Sequence, residues 1–283
     1  MAFEVRFWGV RGSVASPGPD TAAVGGNTSS LEVRAGDTRV LLDAGTGIRQ
    51  LGDALLAEGR VDVTILLSHL HWDHIQGLPF FTPVYLPTTR VRIWGPPGER
   101  TSLHDVLAQQ MAPPVFPVTF DDLASRIETR ELHAGERFRL GSLDVSVARL
   151  NHPGGVLAYR LESGGHALVY ATDNEHHSAV GPTICDLAQG ADVLVYDAQY
   201  TPAEYRGDGC PARIGWGHST YESAVTVARA AAVKQLVLFH HDPKRSDVAV
   251  EAIETRARAI FPDTLAAREG MVLDVGRRVA LVA

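Results

Sequence analysis

The residues best equipped for chemistry lie in one short stretch, Ser68-His69-Leu70-His71-Trp72-Asp73-His74. Four potential metal ligands fall within six residues, directly after the apolar run Val61-Asp62-Val63-Thr64-Ile65-Leu66-Leu67. That run predicts a short buried strand. An extended strand end points alternate side chains the same way, which would start His69, His71 and Asp73 on one face and let His74 turn in as a helix begins. Imidazole together with carboxylate suits zinc, iron or manganese. A motif in two halves, His69/His71 and Asp73/His74, offers more ligands than one metal needs and points to two. The bland alternative is a polar loop that happens to be rich in histidine, and the spacing directly after an apolar strand argues against it.

The elements around this stretch must position it. Residues 3–10 and 30–35 read as strands, joined by a loop over 11–28 rich in Gly, Ser and Pro. A loop of that length in a compact domain is often functional, so it is expected beside the site. Arg39–Asp43 reads as a strand, with a small-residue turn and a helix over 48–56 after it. An aspartate at such a strand end can hold a histidine ligand by its second nitrogen, which makes Asp43 a candidate supporting residue, with a turn-forming Asp as the alternative. A strand over 91–96 and a helix over 101–111 follow. The apolar, proline-rich stretch 112–118 is expected to roof a pocket, or else to serve as a stiff connector. Residues 126–161 read as a run of strands, with clear alternation at Leu143-Asp144-Val145-Ser146-Val147. His152 sits in the turn between two of them. Two apolar strands end in acids, at Asp173 and Asp197. A helix over 221–232 follows Gly217-His218-Ser219-Thr220, with Ser219 or Thr220 able to cap it. A strand then ends at His240, and alternation turns His241 the other way. The helix 248–259 and two strands, MVLDV and RRVALV, close the chain.

Composition sets outer bounds. The chain has 283 residues, 45% apolar and 21% charged, which suits a globular protein with a core large enough to need no staples. A net charge of −7 gives no basic footprint for a long nucleic acid. Cys185 and Cys210 are the only cysteines, so neither a disulfide framework nor a cysteine zinc site is expected, and a reducing cytoplasm is the default location. The start of the chain is charged and strand-like rather than a signal peptide, and no apolar run approaches the ~20 residues of a membrane helix.

The motif resembles the H-x-H-x-D-H signature of the metallo-β-lactamase superfamily, and the resemblance runs from about residue 3 to residue 245. It implies an α/β fold of αββα type, two mixed β-sheets packed face to face with helices on the outer faces, in a single domain over 1–283. By the same resemblance His69, His71 and His152 hold one metal, Asp73, His74 and His240 hold a second, and Asp173 bridges them. Two divalent ions are implied, zinc first, with manganese or iron(II) as alternatives. Ions so held generate hydroxide near neutral pH and stabilise charge that develops on attack, with Asp73 also orienting the nucleophile. Asp197 is expected to support the site from behind. His176 and His177 match no ligand position and are expected at the rim.

The stretch from Gly217 to Pro243, Gly-His-Ser-Thr above all, is similar to that of tRNase Z-type phosphodiesterases, in which the corresponding histidine assists the leaving group. That resemblance gives His218 a catalytic role. The chain lacks the long arm those enzymes use to hold tRNA, and lacks the cysteine cluster of the phosphonate-pathway phosphodiesterases. The expected substrate is therefore a small anion, a small or cyclic phosphodiester, with no membrane and no long nucleic acid as partner; a homodimer is left open. The alternatives are hydrolysis of a carbon-centred ester, lactone or thioester, a tRNase Z-like RNA endonuclease, and a metal-binding sensor without turnover.

Overall fold

The computed structural model describes residues 2–59, 61–175 and 181–277. His176, His177 and the expected strand beyond Arg277 lie outside the described residues. The first half of the chain builds β1 (Phe3–Gly9), β2 (Ser30–Ala35), β3 (Thr38–Leu42), α1 (Ile48–Glu58), β4 (Asp62–Leu66), α2 (Trp72–Ile75), β5 (Arg90–Gly95), α3 (Leu103–Gln110) and β6 (Arg126–Glu131). The second half builds β7 (Arg137–Leu140), β8 (Leu143–Leu150), β9 (Val156–Ser163), β10 (His166–Ala171), α4 (Pro182–Ala188), β11 (Val193–Asp197), α5 (Pro202–Arg206), α6 (Tyr221–Ala230), β12 (Gln235–Phe239), α7 (Asp247–Ile260), β13 (Thr264–Ala266) and β14 (Val272–Asp274).

The strands form two seven-stranded sheets, ordered β14-β1-β2-β3-β4-β5-β6 and β13-β12-β11-β10-β9-β8-β7. Each sheet is antiparallel over three neighbouring pairs and parallel over the other three. The two halves of the chain therefore repeat one plan. Strand alternation explains the layers. Phe3, Val5 and Phe7 of β1 face Val145, Tyr159, Tyr170 and Phe239 of the opposite sheet, and form the core between the sheets. The intervening residues of β10 and β12, Val169, Leu236 and Leu238, turn outward against α4, α6 and α7. On the other side Val63, Ile65, Val91 and Ile93 pack outward against α1 and α3. Burial on both faces accounts for the nearly continuous apolar runs of β4, β10, β11 and β12. The result is the expected order of helix, sheet, sheet, helix.

The stretch 112–118 lies along the first sheet's helical side. Phe116 and Val118 pack against the outer core of the first sheet, Phe116 meets Phe80 edge-on at 5.8 Å, and Val115 is exposed.

Candidate dinuclear metal site

Each parallel strand ends at the same rim, and the polar residues just beyond those ends meet there. β4 stops at Leu66, one residue earlier than expected, and His69 and His71 lie in coil; Trp72 already opens α2 with His71 as its N-cap. Asp73 therefore does not share a strand face with His69 and His71. The turn sends the two halves of the motif to two neighbouring clusters. His69, His71 and His152 form one; Asp73, His74, Asp173 and His240 form the other, with candidate ligand atoms within 4.8 Å of one another. All are buried except His71, which opens the site to solvent.

The backbone is shaped to this purpose. Asp43, Asp173 and His240 each follow a strand and adopt positive φ, 60°, 51° and 60°. Such a conformation is costly for residues with side chains and is kept where the surroundings impose it.

The second nitrogen of each imidazole is committed elsewhere. His74 Nδ1 lies 2.7 Å from Asp43 Oδ2, His240 Nδ1 2.8 Å from the Gln199 side-chain oxygen, and His152 Nδ1 2.8 Å from the Gly217 carbonyl. The nitrogens donate to those acceptors, and each Nε2 faces the cluster, where it can ligate an ion once it carries no proton. Ser68 Oγ donates to Asp43 at 2.8 Å, which leaves His69 Nδ1 to donate to the same hydroxyl at 3.1 Å. His69 Nε2 is then a buried nitrogen with no hydrogen-bond partner among the described residues. In the first cluster His71 presents Nδ1, 3.0 Å from His152 Nε2.

Asp173 faces both clusters. Its Oδ2 lies 3.7 Å from His69 Nε2 and 3.8 Å from His152 Nε2; its Oδ1 lies 3.4 Å from His74 Nε2 and 3.2 Å from His240 Nε2. Asp73 Oδ2 is 3.2 Å from His74 Nε2 and 3.1 Å from His240 Nε2. Ligand atoms held about 2.0–2.2 Å from a tetrahedral ion stand about 3.3–3.6 Å apart. The spacings, the orphaned His69 nitrogen and the N/O donor set all fit two divalent ions bridged by one carboxylate. Burial pushes the imidazoles of His69, His71 and His152 below their usual range, leaving them neutral as ligands must be. Burial also disfavours charge on His74, but Asp73, Asp173 and Asp43 outweigh it and raise His74 well above that range.

His218 adjoins both clusters and, with Asp173, Asp197 and His240, makes a third group whose candidate ligand atoms also lie within 4.8 Å of one another. Its ring stacks on His240 at 5.0 Å and meets His152 edge-on at 5.2 Å. Asp197 Oδ2 accepts from His218 Nδ1 at 2.8 Å, while its Oδ1 accepts the main-chain N–H of Gln199 at 3.0 Å and of Ser219 at 3.2 Å. Burial opposes the imidazolium, but the Asp197 carboxylate outweighs it and holds its pKa up to about 9. His218 does not cap α6; Thr220 does, accepting from the Ser223 N–H. His241 turns away and donates to the Ala267 carbonyl at 3.0 Å.

The loop 11–28 borders the site. The Ser13 N–H donates to Asp73 Oδ2 at 2.7 Å, and a Cβ on Gly12 would stand 2.4 Å from the His240 ring. Sequence reasoning passed over Gln199, Tyr170 and Glu175, although all three lie within three residues of a flagged acid, at the same rim.

A family profile described as "Beta-lactamase superfamily domain" matches residues 38–241. The chain is similar to ribonuclease Z of Methanopyrus kandleri, 27% identical over 311 residues that cover 96% of this chain and 98% of the relative. An uncharacterized Mycobacterium leprae protein is 32% identical over 261 residues, covering 89% of this chain and 83% of the relative. Among solved structures, the metallo-beta-lactamase fold protein YhfI from Bacillus subtilis superimposes with a TM-score of 0.72 at 18% identity, over 96% of this chain and all of that one, which shows the shared fold. With two matched seven-stranded sheets, a histidine–aspartate cluster at their rim and a family match over most of its length, the chain belongs to the beta-lactamase superfamily and is a metal-dependent hydrolase of that fold.

Proposed function

We propose that the chain hydrolyses a small phosphodiester, cyclic ones included, at a dinuclear centre that the whole chain builds as one domain. His69, His71 and His152 would hold one ion, Asp73, His74 and His240 the other, with Asp173 between them; zinc is the favoured metal on the nitrogen-rich donor set. When bound, two divalent ions bring four positive charges against two aspartates, attract an anion, and lower the pKa of water.

The observation that carries the reading is the Asp197–His218 pair beside the bridging Asp173. Asp197 accepts from His218 Nδ1 and favours the charged ring, which leaves its Nε2–H for substrate. A phosphodiester expels an alkoxide, which needs that proton. As the oxygen of water forms a bond to phosphorus and gives up a proton, the bond to the leaving oxygen breaks, that oxygen takes the His218 proton, and the proton released by water restores His218. The products are a phosphomonoester and an alcohol, or a single opened monoester when the substrate is cyclic. Asp73, held by the Ser13 N–H, stays aligned on the attacking side.

A second reading, an RNA endonuclease, is favoured by the relatives named ribonuclease Z; the net charge of −7 weighs against a long polyanion. Metal-reconstituted protein offered bis-p-nitrophenyl phosphate, cyclic nucleotides, a precursor tRNA, p-nitrophenyl acetate and a lactone separates the readings. Turnover of the small phosphodiesters above the tRNA and the carboxylic esters is expected. Turnover confined to the esters or lactone would overturn the proposal, and preference for the tRNA would favour the second reading.

A further inference from the structure

We infer that Glu175 is a positioning residue that sets His152 and His218 in their working places through one shared loop. Glu175 stands two residues beyond Asp173 and is 3% exposed. Its Oε1 accepts the Gly215 N–H at 2.7 Å and the Tyr205 hydroxyl at 2.6 Å; its Oε2 accepts the Gly217 N–H at 2.7 Å. Gly215 and Gly217 both have positive φ, 83° and 86°, which turns the two N–H groups to one side around Trp216. Main-chain donors gathered in this way make a concavity for an anion, and here the anion is a side chain of the protein itself.

Gly217 links the clamp to the chemistry. Its N–H is held by Glu175, its carbonyl accepts from His152 Nδ1 at 2.8 Å, and the next residue is His218. A Cβ on Gly217 would stand 2.2 Å from His152 Nδ1, so the loop lies directly against that ring. From the other side, the Glu175 N–H donates to the Asn151 carbonyl and the Asn151 side chain returns a bond to the Glu175 carbonyl, both at 2.8 Å. Asn174 repeats the pattern: its carbonyl accepts from Ser219 Oγ, and its side-chain oxygen accepts the Asn151 N–H at 3.1 Å. Asp173-Asn174-Glu175 is thus a hub. Its first residue faces both ligand clusters, and the next two fasten the loops that carry His152 and His218.

Only a carboxylate can accept from Gly215, Gly217 and Tyr205 at once without turning a donor toward one of them. Glu175→Gln should therefore loosen the loop. Gly215→Ala is a second route to the same end: nothing lies within 4 Å of the added Cβ, so the variant acts through its φ of 83° alone. The His218 half of the inference rests on the phosphodiesterase reading; the His152 half does not.

The experiment measures, on metal-loaded wild type and both variants, chelator competition for zinc and rates on phosphodiesters with good and poor leaving groups. Both variants should bind the zinc at the His69/His71/His152 cluster about 10–100-fold less tightly, the usual range for loss of a residue that supports a ligand. Both should also lose more rate on the poor leaving group than on the good one. Folded variants with wild-type zinc competition and an unchanged rate ratio would overturn the inference, and if Glu175→Gln does not fold, Gly215→Ala decides. If the wild type turns over no phosphodiester, the functional proposal fails while chelator competition still settles the clamp.

Discussion

The Tyr170 hydroxyl, carried by the second sheet, donates to Asp43 Oδ2, carried by the first, at 2.6 Å. The same carboxylate takes bonds from His74 Nδ1, the Ser68 N–H and Ser68 Oγ. A fully buried aspartate thus joins the two sheets directly behind a candidate ligand. Tyr170→Phe removes one bond to a charged acceptor, worth about 1.5–3 kcal/mol, and should lower unfolding free energy by roughly that amount in denaturant titration. Asp43→Asn should weaken the ion beside His74 by about 10–100-fold, as read by chelator competition.

Elemental analysis of protein purified without chelator should approach two divalent ions per chain, because the seven candidate ligands form two clusters around Asp173. Asp73→Asn keeps the side-chain shape but removes a charge, so it should lose the second ion before the first. A reproducible value near one in the unaltered chain would contradict the dinuclear reading.

Metal binding should depend on pH most strongly at the second cluster. The surrounding carboxylates raise His74 well above the usual imidazole range, so it must release a proton to become a ligand. In the first cluster burial has already lowered all three histidines, which bind neutral. As pH falls below neutrality the second ion should be lost first. Calorimetry of the metal-free protein in buffers of different ionisation enthalpy should show more protons released by the second cluster.

Gly12→Ala should damage the centre without touching a ligand. The added methyl would stand 2.4 Å from the His240 ring and 2.9 Å from the Gln199 oxygen that orients it. Displacing His240 by a fraction of an ångström should cost about tenfold or more in rate, since misplacement near 1 Å can cost about 10²-fold. Steady-state kinetics alongside thermal unfolding would show the rate falling while the fold persists.

The sequence made the candidate ligand clusters legible because residues meeting at strand ends are marked by pattern. Asp43, Asp173, Asp197 and His240 each stand at or just after an apolar run, and the short motif after β4 holds four candidates together. What stayed hidden was set by distance along the chain. Gln199 meets His240 across 41 residues and Glu175 reaches Gly217 across 42, and neither residue type advertises such a partner. Likewise, alternation identified strands between 126 and 161 but could not show that the chain leaves the first sheet after β6 and begins the second at β7. The face expected for His69, His71 and Asp73 failed because β4 ends at Leu66, and local periodicity carries no information on where a strand yields to coil.

The phosphodiesterase reading is tested most directly by His218→Ala, assayed metal-loaded on two phosphodiesters that differ only in the leaving group. His218 Nδ1 is committed to Asp197 and the ring is not one of the seven proposed ligands, so metal content should stay at the wild-type value. Turnover of an alkyl ester should fall by roughly 10²–10⁴-fold, the usual worth of general acid catalysis. A p-nitrophenyl ester, whose leaving group needs little protonation, should lose far less. An equal drop on both substrates with metal retained would contradict the account.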